Sequence, residues 1–323
     1  MKIALIVPYF GTLPNYFHLF LKSCGENPDF DWLIITDDNT DYAYPENVHR
    51  ISMTFLECTQ LVREKFDFAV SLEKPQKLCD YKPAYGYVFS EYLSNYDWWG
   101  YCDLDQIFGC LGMFVTPDRL EKYDKIYSLG HLTLYRNTEE NNQIFMLPLN
   151  GKNLYQEVLS SPYGMAFDEW IPGNVNEIFL STDIPALYDN DGADIDPYHT
   201  TFRLVAYDVQ NRKYERSPIK NSIFQWNQGH LYQIYLKNGT ICKREFPYAH
   251  FQKRRMLDCR ADKGSDSFYA MPNQFVDGNV DPVCLLKKSQ MKSLVYSQYI
   301  KVKYNSLKQR VRTGNWKAQN VFK

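Results

Sequence analysis

Apolar residues in the first third of the chain fall into short runs separated by turn formers, and the runs alternate between strand and helix character. Residues 2–7 form a nearly continuous apolar run closed by Pro8, which predicts a buried first strand. Pro14 stands near the start of an amphipathic helix over about 15–23, with Tyr16, Phe17, Leu19, Phe20 and Leu21 on its apolar side. Residues 31–36 predict a second strand ending in Asp37-Asp38-Asn39, and 48–52 a short third. Thr54 with Glu57 three residues later makes a capping box for a helix from 55 to about 65. A helix-like segment over 85–93 then leads to Trp98-Trp99-Gly100-Tyr101-Cys102, which has the aromatic bias of a buried strand. Strands alternating with helices in this way predict an α/β, nucleotide-binding first half.

Later the pattern loosens. Residues 126–129 and 132–135 predict strands around Gly130-His131, 137–145 a polar helical excursion, 161–168 a loop and 177–180 a short helix. Residues 183–198 are rich in Asp, Pro and Gly with little periodicity, which predicts a long surface loop. Residues 231–236 and 240–246 predict a hairpin turning at Asn238-Gly239. Asn238-Gly239-Thr240 also matches a glycosylation sequon, but between two strand-like runs its turn role is preferred.

Candidate chemistry gathers where the predicted strands end. Asp103 and Asp105 follow the aromatic run directly, at the strand edge where open α/β sheets bind ligands. Two carboxylates there suit a hard divalent cation able to neutralise a diphosphate. Pro8-Tyr9-Phe10-Gly11 and Thr36-Asp37-Asp38 end the first two strands and belong to the same edge. Lys82, before Pro83, contacts phosphate or sugar, or caps a helix. Tyr248-Ala249-His250-Phe251-Gln252-Lys253-Arg254-Arg255 follows the hairpin and joins an imidazole to a run of cations.

These segments together (PYFG, TDD, DLD and HFQKR) resemble the metal-dependent GT-A glycosyltransferases of bacterial capsule and exopolysaccharide clusters. The likeness covers most of residues 1 to about 260. It implies a GT-A fold: a Rossmann-like nucleotide-sugar-binding half over 1–110 fused to an acceptor-binding half over 111–284, with a basic, helical C-terminal segment over 285–323. It implies that Asp105 binds Mn2+ or Mg2+ directly, that Asp103 reaches the ribose or the metal through water, and that His250 is a third ligand. Lys253 would hold the diphosphate. Pro8, Tyr9 and Phe10 would contact the uridine, with a carboxylate from Asp37 or Asp38. An inverting transfer needs a base, and Asp168-Glu169 resembles the acidic pair of such enzymes; Asp168 is preferred, with Glu169 the alternative. The implied activity is hexose transfer (galactose, galactofuranose or glucose type) from a UDP-sugar to a lipid-linked or growing glycan. The alternatives are a retaining transferase of the same pathway and a non-catalytic carbohydrate-binding subunit.

Composition changes this picture in four places. The 26 Tyr, 20 Phe and six Trp give an aromatic share of 16%, and tyrosines suit sugar pockets by covering apolar C–H faces while hydrogen-bonding. The eight cysteines contain no C-x-x-C pair, which predicts reduced, mostly buried thiols in a cytoplasmic protein. No apolar run approaches membrane-span length, and residues 3–7 are too short for an export signal. The net charge of −2 hides an asymmetry: ten of the 36 Lys and Arg lie in 285–323, where there is no Asp or Glu. That segment is read either as docking on an anionic membrane at its inner face or as a solvated helix. The acidic remainder and the absence of a recognition motif argue against nucleic acid.

Overall fold

The run at the start of the chain is apolar throughout because it becomes an interior strand. In the computed structural model, which describes residues 1–290 except 171 and 253, and also 300, 304, 307 and 308, Ile3–Pro8 lies between two parallel neighbours. Four parallel strands stand in the spatial order Val48–Ser52, Phe30–Thr36, Ile3–Pro8, Trp98–Cys102. The sheet continues with Leu132–Arg136, antiparallel to Trp98–Cys102, then Lys125–Leu129 and the two-residue strand Ala186–Leu187. Parallel strands are covered on both faces and so read as continuous apolar runs rather than alternating ones. The capping box forms as the sequence predicts: the Thr54 hydroxyl accepts from the Glu57 amide, and Glu57 accepts from the Thr54 amide at 2.6 Å. The expected 85–93 helix is broken. A 3₁₀ stretch, Pro75–Ala84, passes into one α-turn, Tyr85–Val88, and a second 3₁₀ turn, Ser90–Leu93.

The chain divides into two compact units that alternate along its length. The first comprises Met1–Pro14, Asn27–Leu104 and Val115–Asn190; the second comprises Asn15–Glu26, Asp105–Phe114 and Asp191 onward. The seven-stranded sheet is the first unit's. Its core is aromatic, with Trp99 stacked on Tyr135 at 4.6 Å between ring centres and donating from its indole to Asn142.

The loop 163–168 of the first unit is fastened from below. Asp80, 2% exposed, accepts from the Met165 and Phe167 amides and from Lys77 at 2.7 Å, while Lys77 also donates to the Val158 and Tyr163 carbonyls. Between the two held amides Ala166 has φ +51, a left-handed conformation that a residue with a Cβ adopts at a cost. Asp80→Ala would leave a buried ammonium without its counter-charge, so the variant is expected to lose about 3–5 kcal/mol in urea unfolding. A loss under about 1 kcal/mol would show that water replaces the carboxylate.

The second unit carries two sheets. One has the order Lys213–Arg216, Leu204–Asp208, Ala193–Ile195, Tyr248–His250, Gln106–Phe108. The other has the order Thr240–Phe246, His230–Lys237, Ile223–Asn227, Ser267–Met271, Gln274–Asp277, Leu257–Asp258. The hairpin turns at Asn238 (φ +52) and Gly239 (φ +78), the left-handed pair that a two-residue connection requires. Helix Phe17–Gly25 packs here, Phe20 meeting Phe108 edge-on at 5.7 Å.

Two expectations are corrected. Residues 183–198 are not a surface loop throughout: Ala193–Ile195 is a wholly buried strand of the five-stranded sheet. Of the eight thiols, all free, Cys24, Cys58 and Cys102 are buried while Cys79 and Cys259 are exposed, so burial does not hold for most. Among the described residues no helix is long and apolar enough to cross a membrane.

Candidate metal centre

In the second unit, β-pairing sets the geometry around His250. Strand Tyr248–His250 runs antiparallel to Gln106–Phe108, with His250 opposite Gln106, and parallel to Ala193–Ile195, with His250 opposite Asp194. That register brings Asp105, one residue before its strand, beside the imidazole: His250 Nε2 lies 3.2 Å from Asp105 Oδ1, and the Phe251 amide donates to the Asp105 carbonyl. On the other side His250 Nδ1 lies 2.9 Å from Asp194 Oδ1, and Gln252 donates to the same carboxylate. Asp194 therefore orients the ring and fixes Nδ1 as the protonated nitrogen, turning the Nε2 lone pair toward Asp105.

Two acceptors facing each other at 3.2 Å need something positive between them. Without a cation it is a proton. Burial by itself would lower the imidazole pKa, but the Asp105 charge and the bonds to Asp105 and Asp194 hold it well above the usual histidine range. A divalent cation would take the proton's place. Asp103 is the other acid of the Asp-Leu-Asp run, two positions before Asp105. A carboxylate and an imidazole at this distance, with a second carboxylate behind the imidazole, suit a divalent cation.

In the first unit the same strand end is organised around Lys82. Its ammonium is buried and donates to Asp103 Oδ1 and to the Gly130 carbonyl, each at 2.8 Å, with Asp168 Oδ2 at 3.3 Å. Burial would strip the proton from Lys82, yet the Asp103 and Asp168 charges outweigh it and keep the amine firmly cationic. Asp168 is 4% exposed, and burial pushes its carboxyl up to about 6, against the pull of Lys82 and with a further push from Asp103. Glu169 Oε1 accepts from the Gly130 amide. Gly130 is where the backbone must come this close. A Cβ on it would stand 2.3 Å from Asp168 Oδ2 and 2.8 Å from Glu169 Oε1.

The two loops that close the first strands are laced together. The Gly11 amide donates to Asp37 Oδ1 at 2.8 Å and the Leu13 amide to Asp38 Oδ2 at 3.4 Å. Asp38 also accepts from Thr40, which draws its pKa below the usual carboxylate value. Tyr9 donates to the Thr12 carbonyl beside Pro8, and Phe10 packs on Phe55 at 5.4 Å. Lys253 lies outside the described residues, as does nearly all of 291–323.

Thus Lys82, Asp103, Asp168 and Glu169 meet around Gly130; Asp37 and Asp38 meet the 9–13 loop; and Asp105 meets His250. The sequence reading passed over Asp194, and also Asp80 and Lys77, which hold the Asp168 loop. The one signal for Asp194 is the alternation Ala193-Asp194-Ile195, too short to stand out among neighbouring Asp, Gly and Pro.

These features define an α/β protein with mixed parallel and antiparallel sheets and a carboxylate–imidazole donor set fit for a divalent cation, hence with the potential for metal-dependent catalysis. Residues 5–279 match the family described as a family of unknown function, DUF6625, and the chain belongs to that family. No curated protein matches the sequence.

Proposed function

We propose that the protein is a metal-dependent glycosyltransferase of GT-A type that moves a hexose from a UDP-sugar to a surface-glycan acceptor, with inversion. The observation that carries this reading is His250, its Nε2 turned on Asp105 and its Nδ1 held by Asp194, with Asp103 two positions before Asp105 in the chain. Further support comes from the four parallel strands. Their order, third-second-first-fourth, is that of nucleotide-binding sheets, whose ligands sit beyond the carboxyl ends of the strands.

A bound Mn2+ or Mg2+ would neutralise the diphosphate and ease its departure. Asp103, Asp105 and His250 would hold it. Pro8, Tyr9 and Phe10 with Asp37 or Asp38 receive the uridine, the first loop being kept in shape by the Gly11–Asp37 and Leu13–Asp38 bonds. Lys82 fixes Asp103 and Asp168 in place, and Lys253 contacts phosphate. Asp168, with a pKa of about 6, is largely ionised at neutral pH and takes the proton of the attacking acceptor hydroxyl. The basic segment 285–323 brings the enzyme to an anionic membrane carrying a lipid-linked acceptor.

A nucleotide screen by thermal shift, with and without manganese, tests the reading. UDP at about a hundred times its Kd should raise the melting temperature by about 4 °C, and only when the metal is present. An equal response to every nucleotide, or none to UDP, would sink it.

A further inference from the structure

A second concentration of charge lies at one end of the five-stranded sheet in the second unit, apart from the carboxylate–imidazole cluster. Asp196, fully buried just past strand Ala193–Ile195, accepts from Arg216 Nε at 2.6 Å and from the Tyr198 amide at 2.8 Å, and lies 2.9 Å from His199 Nδ1. Arg203, one residue before strand Leu204–Asp208, donates from Nε to the Ser217 carbonyl at 2.8 Å, and its Nη1 stands 3.4 Å from His199 Nε2. Arg254 is 6% exposed; its Nη2 donates to the carbonyls of Asp196, His199 and Thr201, while its Nε is buried with no hydrogen-bond partner.

The charges do not balance. Neither Arg203 nor Arg254 forms a side-chain ion pair with a carboxylate among the described residues, and for the buried Arg254 the charge of Asp196 only partly offsets the cost of burial. Burial accordingly draws Arg254 down to about 10. Burial, and then Arg203 and Arg216, depress His199 more than Asp196 raises it, so the ring itself resists adding another positive charge. The floor of the cluster is closed by Asp196, yet its face is open: the Arg216 and His199 side chains keep 24% and 33% of their exposure. Two guanidiniums flanking an imidazole on an open face are suited to an oxyanion, which an arginine fork grips through paired N–H donors.

We propose that Arg203 and Arg216, set on either side of His199 and backed by Arg254, form a binding site for an oxyanion, a phosphate or carboxylate group carried by the acceptor. The register locates it. His250 is opposite Asp194, Asp194 is opposite Val205, and Val205 is opposite Arg216. At the usual strand spacing Arg203 is thus about 10 Å, and Arg216 about 14 Å, from the strand of His250. The substrate class that follows is an acidic glycan whose anionic group lies roughly that far from the reacting hydroxyl. The word acceptor rests on the glycosyl-transfer reading; the anion site does not.

Thermal-shift titration of the full chain with inorganic phosphate and, separately, sodium glucuronate, each against sodium chloride at equal ionic strength, tests the proposal. At least one should raise the melting temperature above the chloride control, and Arg203→Gln should weaken that response at least tenfold. A response to phosphate alone assigns a phosphate, and to glucuronate alone a sugar carboxylate. Should Arg203→Gln fold poorly, Arg203→Lys serves instead; it keeps the charge, loses the fork and should also bind more weakly. No response beyond chloride, or parental affinity in the folded variant, overturns the site. Anion binding without metal-dependent UDP stabilisation of the parent protein supports the site while removing the transferase reading.

Discussion

Asp105→Asn is expected to abolish the difference that manganese makes to UDP binding, leaving the melting temperature with both ligands equal to that with UDP alone. Asparagine keeps the shape of the side chain and can still meet His250 Nε2, 3.2 Å away in the parent, so the fold has little reason to suffer. What is removed is the negative charge that a dication needs. Asp194→Asn should act more mildly. It leaves both ligand atoms in place but loses the carboxylate that orients the imidazole, a change worth about 10–100-fold in metal affinity. The order of the two effects separates a metal centre from a structural ion pair. If the cluster only stabilised the fold, both variants would melt early and neither would alter metal dependence. Unchanged manganese dependence in a well-folded Asp105→Asn protein would refute the centre.

Asp168→Asn is expected to cut transfer by about 10²–10⁴-fold while leaving UDP binding near the parent value. The pH profile supplies a second reading. Because burial raises Asp168 to about 6, the carboxyl holds its proton below that pH and cannot accept another, so the rate should climb as pH rises through about 6 and then level. For stability the sign is opposite. The native state binds this proton more tightly than the unfolded chain does, so the contribution of Asp168 is greatest in acid and is lost as pH rises from about 4 to about 6. The asparagine variant should lack both slopes. Transfer lost in Glu169→Gln but kept in Asp168→Asn would move the base to Glu169.

What the sequence made legible is what local chemistry decides. The strand Trp98–Cys102 is recovered residue for residue, since five consecutive buried positions leave no ambiguity. The Thr54–Glu57 cap and the Asn238-Gly239 turn are equally local, each set by a few side chains and their own backbone. What stayed hidden depends on partners far along the chain. Strand Ala193–Ile195 has three residues and pairs with Tyr248–His250, more than fifty positions later; its own composition is that of a loop. Asp194 acquires its meaning only through that pairing. Asp80 and Lys77 look like an ordinary charged pair in a polar stretch, until the loop of Met165 and Phe167 comes back onto them. The helix after the first strand was foreseeable as a helix. That its buried side meets Phe108 was not, because amphipathicity says which face is covered and never by what.

The weaving of the chain bears on how this gene can be altered. The second unit takes its parts from 15–26, from 105–114 and from 191 onward, so no single cut divides the coding sequence into two self-sufficient pieces. A library of halves exchanged between relatives at one crossover would break one unit or the other at almost every junction. The exposed tip at Asn238-Gly239 is different: it closes a two-residue connection within one sheet, and a reporter spliced in there would interrupt neither weave nor site.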